Sequence, residues 1–121
     1  IAHYGERTVK GSQHALLRAD IRKAIDFLQC AYHQPLTVKE IAAVAGLSEF
    51  YFMRTFQSMT GLSVHQYLTQ IRLVRAKSLL AQGVGAAQAA SDVGFFDQSH
   101  FIKHFRTHFG TTPGAFAAAS Q

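Results

Sequence analysis

Only one cysteine, Cys30, occurs in the chain. A lone thiol excludes an internal disulfide and a cysteine-based zinc site, and it suits a reducing cytoplasm. No apolar run approaches the roughly 20 residues that a membrane helix needs, and no secretory or transit segment is visible. Acidic residues are scarce. Seven Asp and Glu against twelve Lys and Arg leave a formal charge of +5 and a pI near 9.7, which favours an anionic partner such as nucleic acid. Also missing are a nucleotide-binding loop, a plausible nucleophile triad and an obvious carboxylate pair, so no enzyme activity, catalytic residue or cofactor is expected. The chain opens on Ile1 rather than methionine, which reads as a processed product or an excised domain.

What is present is an apolar content of 48% over 121 residues, enough for one core or two small ones. The most informative stretch runs from Gly94 to Gly114, GFFDQSHFIKHFRTHFGTTPG. Gly94 closes a tight turn and Asp97 caps a helix, since its short side-chain oxygen can accept an exposed backbone N–H. Phe101, Phe105 and Phe109 then recur at i, i+4 and i+8 as a buried stripe. Gly110 stops that helix, and Thr112 with Pro113 starts the next as cap and first helical residue. The face opposite the phenylalanines offers Gln98, Ser99, Lys103 and Arg106, a set suited to docking against something polar and anionic.

The same pattern occurs earlier as GLSEFYFMRTFQSMTGLSV, from Gly46 to Val64. Ser48 stands for Asp97, Phe52 for Phe101, Arg54 for Lys103, Phe56 for Phe105 and Gly61 for Gly110, each pair 49 residues apart. Upstream, Ile41-Ala42 matches Ala89-Ala90 and Gly46 matches Gly94 at a spacing of 48, so the second copy carries one extra turn residue. A short helix, a glycine turn and a longer helix, present twice, make a tandem helix-turn-helix in an all-α chain. The first unit is expected over about 36–62 and the second over about 84–112.

Around these units the sequence predicts simpler elements. Residues 1–14 show no sustained periodicity and contain Gly5, Gly11 and Ser12, so they read as a flexible arm or linker end whose Arg7 and Lys10 could touch DNA. From about Ala15 or Asp20, the positions Ile21, Ala24, Ile25, Leu28 and Ala31 follow the helical period up to Pro35, with Cys30 and Tyr32 as packing residues. Thr37 and Glu40 form a capping box. Ser63 caps a linker helix over about 64–81 with Tyr67, Leu68, Ile71, Val74, Leu79 and Leu80 apolar. At about 1.5 Å per residue it spans on the order of 25 Å. Arg72, Arg75 and Lys77 on this helix are candidates for phosphate contact, or in the case of Arg72 for an ion pair with Asp92 or Glu40. The Ala-rich run 86–90 opens the second unit, and a last helix begins at Pro113 and packs Phe116.

These residues resemble the DNA-binding domain of AraC/XylS-type bacterial transcription regulators over roughly Arg18 to Phe116. The specific part is the second unit, with Gly94-Phe95, Asp97, Ser99-His100-Phe101, Phe105 and Gly110 to Pro113; the first unit adds Ile41-Ala42, Ala45 to Ser48, Arg54, Phe56 and Gly61, and the linker helix adds Ile71-Arg72-Leu73 and Ala76. Departures are Val64 where proline is frequent, Ala89 where a larger aliphatic is usual, and Ala117 where a basic residue often stands. The resemblance implies a seven-helix domain, 15–121, holding two recognition helices about one DNA turn apart in successive major grooves of an asymmetric double-stranded site. Carried over by position, Phe50, Met53 and Arg54 read bases in the first unit and Gln98, Ser99 and Lys103 in the second. Phosphate contacts fall to Arg106, His100, Arg75 and the helix starts at Thr37 and Ser63. It further implies a separate sensing or dimerisation domain in the same protein, RNA polymerase as a candidate partner, and a cytoplasmic location.

His100, His104 and His108 share a helical face and raise a metal hypothesis. No glutamate general base lies between them and the stripe adjoins buried phenylalanines, so no metal site is expected. Histidines at the interface would make DNA affinity pH-sensitive near neutrality, an idea that a flat affinity between about pH 6 and 8 would reject. The alternative function class is a sequence-tolerant architectural DNA binder or a protein-docking helical module, since helix-turn-helix folds serve those roles as well.

Overall fold

The computed structural model describes the backbone of residues 2–120 and the side chains of residues 13–120. Among these residues every regular element is helical: α1 (Ala2–Ala31), α2 (Val38–Ala45), α3 (Glu49–Thr60), α4 (Val64–Ala81), α5 (Ala86–Asp92), α6 (Gln98–Phe109) and α7 (Pro113–Ser120). No helix among them is long and apolar enough to cross a membrane. The chain divides into two compact units, one of Ile1–Cys30 with Leu36–His65 and one of Ala31–Pro35 with Gln66–Gln121.

In the first unit, Ile21, Ala24 and Leu28 lie at i, i+3 and i+7 on α1 and are buried, as the period requires. Where an arm is expected over residues 1–14, the backbone is helical from Ala2 onward and continuous with α1. Gly5 and Gly11 each cost a helix interior about 1 kcal/mol relative to alanine, which weakens such a helix without forbidding it. The side chains of Arg7 and Lys10 lie outside the described residues. Cys30, expected to pack, is exposed, because two residues beyond Leu28 is about 200° around the helix. The Thr37 hydroxyl accepts from the Glu40 amide at 3.1 Å and the Glu40 carboxylate accepts from the Thr37 amide at 3.2 Å, closing the predicted capping box. Ile41, Ala42 and Ala45 are buried on α2, which packs on α3, and Phe52 and Phe56 are fully buried with ring centroids 5.5 Å apart.

The second unit is built on α4. Ile71, Leu73, Ala76 and Leu80 are buried there, but Val74, expected among the apolar positions, is 56% exposed. The buried residues sweep one broad arc of the helix and position 74 falls outside it. Ala89 and Ala90 of α5, Val93, and Phe101 and Phe105 of α6 complete one core with Leu73, Ala76 and Leu80. The small alanines let α5 approach closely, and large side chains from α6 fill the volume. Phe109 closes the stripe half-buried, 4.6 Å from the Phe105 ring centroid. Lys77 lays its ammonium 4.6 Å from the Phe109 ring and 5.5 Å from that of Phe116, which gives this lysine a packing task within the unit. Thr112 accepts from the Ala115 amide at 3.1 Å and Pro113 is buried at the start of α7.

Arg72 makes neither of its expected ion pairs. Its Nε donates to the Tyr32 carbonyl at 2.7 Å and its Nη2 to the Gln34 carbonyl at 2.9 Å. These carbonyls follow the end of α1, where backbone oxygens no longer have helical partners and a cation is favourable. Partial burial pushes the Arg72 pKa below its ordinary value by desolvation. Gly94 makes room for this tie. With φ of +100°, a Cβ there would stand 3.0 Å from the Tyr32 oxygen and 3.1 Å from both Arg72 Nε and the His33 oxygen.

Candidate nucleic-acid interface

The two glycine turns share their backbone bonds, and each is followed by a helix opened by a side-chain cap, on the amide three residues on in the first unit and two residues on in the second. Gly46 donates to Ala43 and Leu47 to Ala42 at 3.0 and 3.1 Å; Gly94 donates to Ser91 and Phe95 to Ala90 at 3.1 and 2.9 Å. Ser48 then caps α3 by accepting from the Tyr51 amide at 3.4 Å, and Asp97 caps α6 by accepting from the Ser99 amide at 2.9 Å. Both helices are twelve residues long and end on a left-handed glycine, Gly61 at φ 80° and Gly110 at φ 78°. The duplication read from sequence is therefore a duplication of geometry.

With Phe52 and Phe56 turned inward on α3, and Phe101 and Phe105 on α6, the period sends matching positions outward. Glu49, Phe50, Met53, Arg54 and Gln57 are exposed on α3, and Gln98, Ser99, Ile102, Lys103 and Arg106 on α6. All six residues expected to read bases thus lie on the outer faces of two equivalent helices. Their chemistry differs between the units. The first face mixes large apolar side chains with polar ones: Phe50 is 71% exposed and Met53 46%, and the Arg54 guanidinium sits 5.7 Å from the Phe50 ring centroid. The second is polar and cationic: no acidic residue occurs between Gln98 and Phe109, and Lys103 and Arg106 are exposed.

The residues expected to touch phosphate are more varied. His100 is exposed, its ring 5.5 Å from that of His104 in an edge-on arrangement. Among the described residues, no three His, Cys, Asp or Glu side chains gather in a way that could hold a metal ion. Arg75 is exposed with its guanidinium 5.5 Å from the Tyr32 ring. Ser63 is half-buried directly before α4. At Thr37 the capping box engages the amides of Thr37 and Glu40, so an anion approaching there also meets the Glu40 carboxylate.

Two exposed apolar residues of the second unit escaped the sequence reading. Ile102, 38% exposed, stands where Met53 stands in the first unit, and the 49-residue spacing would have located it. Phe96 is 83% exposed immediately before the Asp97 cap.

Comparison with known proteins agrees with this geometry. A family model described as a helix-turn-helix domain matches residues 41–119. The Msm operon regulatory protein of Streptococcus mutans is 31% identical over 105 residues, which is 86% of this chain and 38% of that protein. The chain spans about a third of the length of the curated relatives it matches. A crystal structure of a transcriptional regulator with an AraC-type DNA-binding domain from Chromobacterium violaceum superposes with a TM-score of 0.78 at 28% identity, covering 92% of this chain and 96% of that one. The DNA-binding domain of the global transcriptional factor AdpA, solved in complex with a target DNA, gives 0.77 at 29% identity over 82% and 90% of the two chains. The duplicated helix-turn-helix geometry and the match to nearly the whole of both units have one reading: the chain belongs to the AraC-type helix-turn-helix family.

Proposed function

We propose that this domain is the DNA-reading part of a bacterial transcription regulator. It binds double-stranded DNA sequence-specifically, with α3 and α6 as recognition helices in the major groove of an asymmetric site. The observation that carries this is the pair of equivalent, identically terminated helices presenting base-reading chemistry at matched positions. Arg54 suits guanine O6 and N7, Phe50 and Met53 suit thymine methyl groups, and Gln98, Ser99 and Lys103 suit polar base edges. His100, Arg106, Arg75 and the helix starts near Thr37 and Ser63 hold phosphates and fix register. The net charge of +5 supports association with a polyanion. A sensing or dimerisation domain elsewhere in the same protein, contact with RNA polymerase, and a cytoplasmic location complete the reading.

The test is selection of bound sequences from a random duplex pool of ~30 base pairs at about 150 mM salt, where nonspecific electrostatic binding is already weakened. Two enriched boxes about one helical turn apart, with the selected site preferred over random duplex by ~10³ or more, are expected. Salt-dependent binding without enrichment would assign an architectural role instead, and absence of binding a protein-docking one.

A further inference from the structure

The second turn has one residue more than the first, and the hydrogen bonds identify it. The bonds through Leu47 and Phe95 are equivalent at a spacing of 48, whereas the helix-opening bonds Phe52 to Ser48 and Phe101 to Asp97 are equivalent at 49. The extra residue is therefore Phe96. In helix starts of this kind an apolar side chain just ahead of the cap packs on the fourth helical residue and fixes the entry angle. Here Phe95, one residue further back, takes that place, with its ring centroid 5.2 Å from that of Phe101. Phe96 is released from the fold and left 83% exposed, although its ring would gain from leaving water.

Its position suggests what covers it. Phe96 lies at the N-terminal end of α6, the end from which a recognition helix addresses base edges, and precedes Ser99 by three residues. In the first unit the equivalent of Ser99 is Phe50, exposed and apolar. The second unit thus has a small polar residue where the first has a phenylalanine, and an extra phenylalanine one turn earlier. We infer that Phe96 is a specificity-determining residue of the second unit: its ring packs against the C5-methyl group of a thymine in the major groove, where that methyl is the apolar feature distinguishing thymine from the other bases. The inference rests on the DNA-reading function proposed above. It means that the second unit reads sequence and does not merely grip backbone.

Replacing thymine by deoxyuridine removes only this methyl. With the selected site in hand, each thymine of the second box is exchanged in turn and affinity is measured for the natural chain and for Phe96→Ala. The natural chain is expected to lose about fourfold at one position, the equivalent of one methyl returned to water, and Phe96→Ala to bind the thymine duplex correspondingly less well and to ignore the exchange there. Phe96→Leu, which keeps an apolar tip, should retain part of the sensitivity. Equal thermal midpoints for the three proteins would show that the fold is unchanged, as the exposure of Phe96 requires. A second box without thymine, a natural chain indifferent to every exchange, or a Phe96→Ala variant as sensitive as the natural chain overturns the role of Phe96. Failure to prefer the selected site over a scrambled one would instead remove the DNA-reading function itself.

Discussion

Replacing Arg72 by alanine should weaken the second unit without altering how the domain meets a polyanion. The side chain supplies two short hydrogen bonds, 2.7 Å to the Tyr32 carbonyl and 2.9 Å to the Gln34 carbonyl. Hydrogen bonds from a charged donor contribute about 1.5–3 kcal/mol each. Arg72 is only half-buried, so water can replace part of what is lost and the lower end of that range applies. The expected destabilisation is about 2–4 kcal/mol, read from the urea midpoint at constant m-value. Arg72→Lys should recover less than half of it, because an ammonium lacks the forked donors that reach two carbonyls at once. A double-mutant cycle with Gly94→Ala isolates the close approach of the two residues. Removing Arg72 relieves one of the three nearest contacts of a Cβ at position 94, so the two losses should fall short of additive by about 0.5 kcal/mol or more. A loss below about 0.5 kcal/mol for Arg72→Ala would refute the structural assignment. So would a folded variant whose salt dependence of DNA binding is reduced, since Arg72 would then be a phosphate ligand.

Gly94→Ala alone should cost about 2–4 kcal/mol in the same unfolding assay, combining a left-handed φ of +100° with contacts of 3.0–3.1 Å to two backbone oxygens and a guanidinium. Asp97→Ala should lower stability by about 1 kcal/mol through loss of the α6 cap, visible as a drop of several degrees in Tm. Arg54→Ala is expected to cost about 1–3 kcal/mol in DNA affinity and to relax preference at one base pair of the selected site; a uniform loss on every sequence would reassign Arg54 to phosphate. Arg106→Ala should weaken binding alike on all sequences and make the slope of log K against log salt shallower by about 0.9, the signature of one lost phosphate contact.

The elements that terminate helices were the most legible part of the sequence, because their chemistry is local. Thr37 with Glu40, Ser48 and Asp97 cap the helices that the sequence assigns them, and Gly46, Gly61, Gly94 and Gly110 take up the left-handed turns. The outward faces of α3 and α6 followed from the inward phenylalanines, since burying Phe52 and Phe56, or Phe101 and Phe105, leaves little freedom for the rest of the helix. The partner of Arg72 was not legible. Its acceptors are backbone carbonyls about 40 residues away, and a carbonyl carries no residue-specific signal. Carboxylates do carry such a signal, which is why the sequence favours Asp92 or Glu40. Val74 and Cys30 misled for a related reason: apolar character at a position says that burial is favourable, and only the phase of the finished helix decides whether burial happens. Phe96 shows the limit most clearly. The one-residue change of spacing was visible, but which residue was extra depended on the bonds of the turn.

The duplication also separates what the two units have to keep from what they are free to change. Caps, glycine turns and paired phenylalanines recur because they fix the direction in which each long helix leaves its turn, and a reading helix displaced by about 1 Å loses its hydrogen-bond geometry. The outer faces carry no such constraint and have diverged. Phe50, Met53 and Arg54 put two large apolar groups and one forked donor on the first unit's outer face, the chemistry on which its proposed base reading rests. Lys103 and Arg106 give the second unit's outer face charge, which attracts any phosphate backbone alike. Phe96, added to the turn without displacing the Asp97 cap, leaves a large exposed ring at the N-terminal end of α6, and under the proposal above it adds a thymine contact to the polar base contacts of Gln98, Ser99 and Lys103.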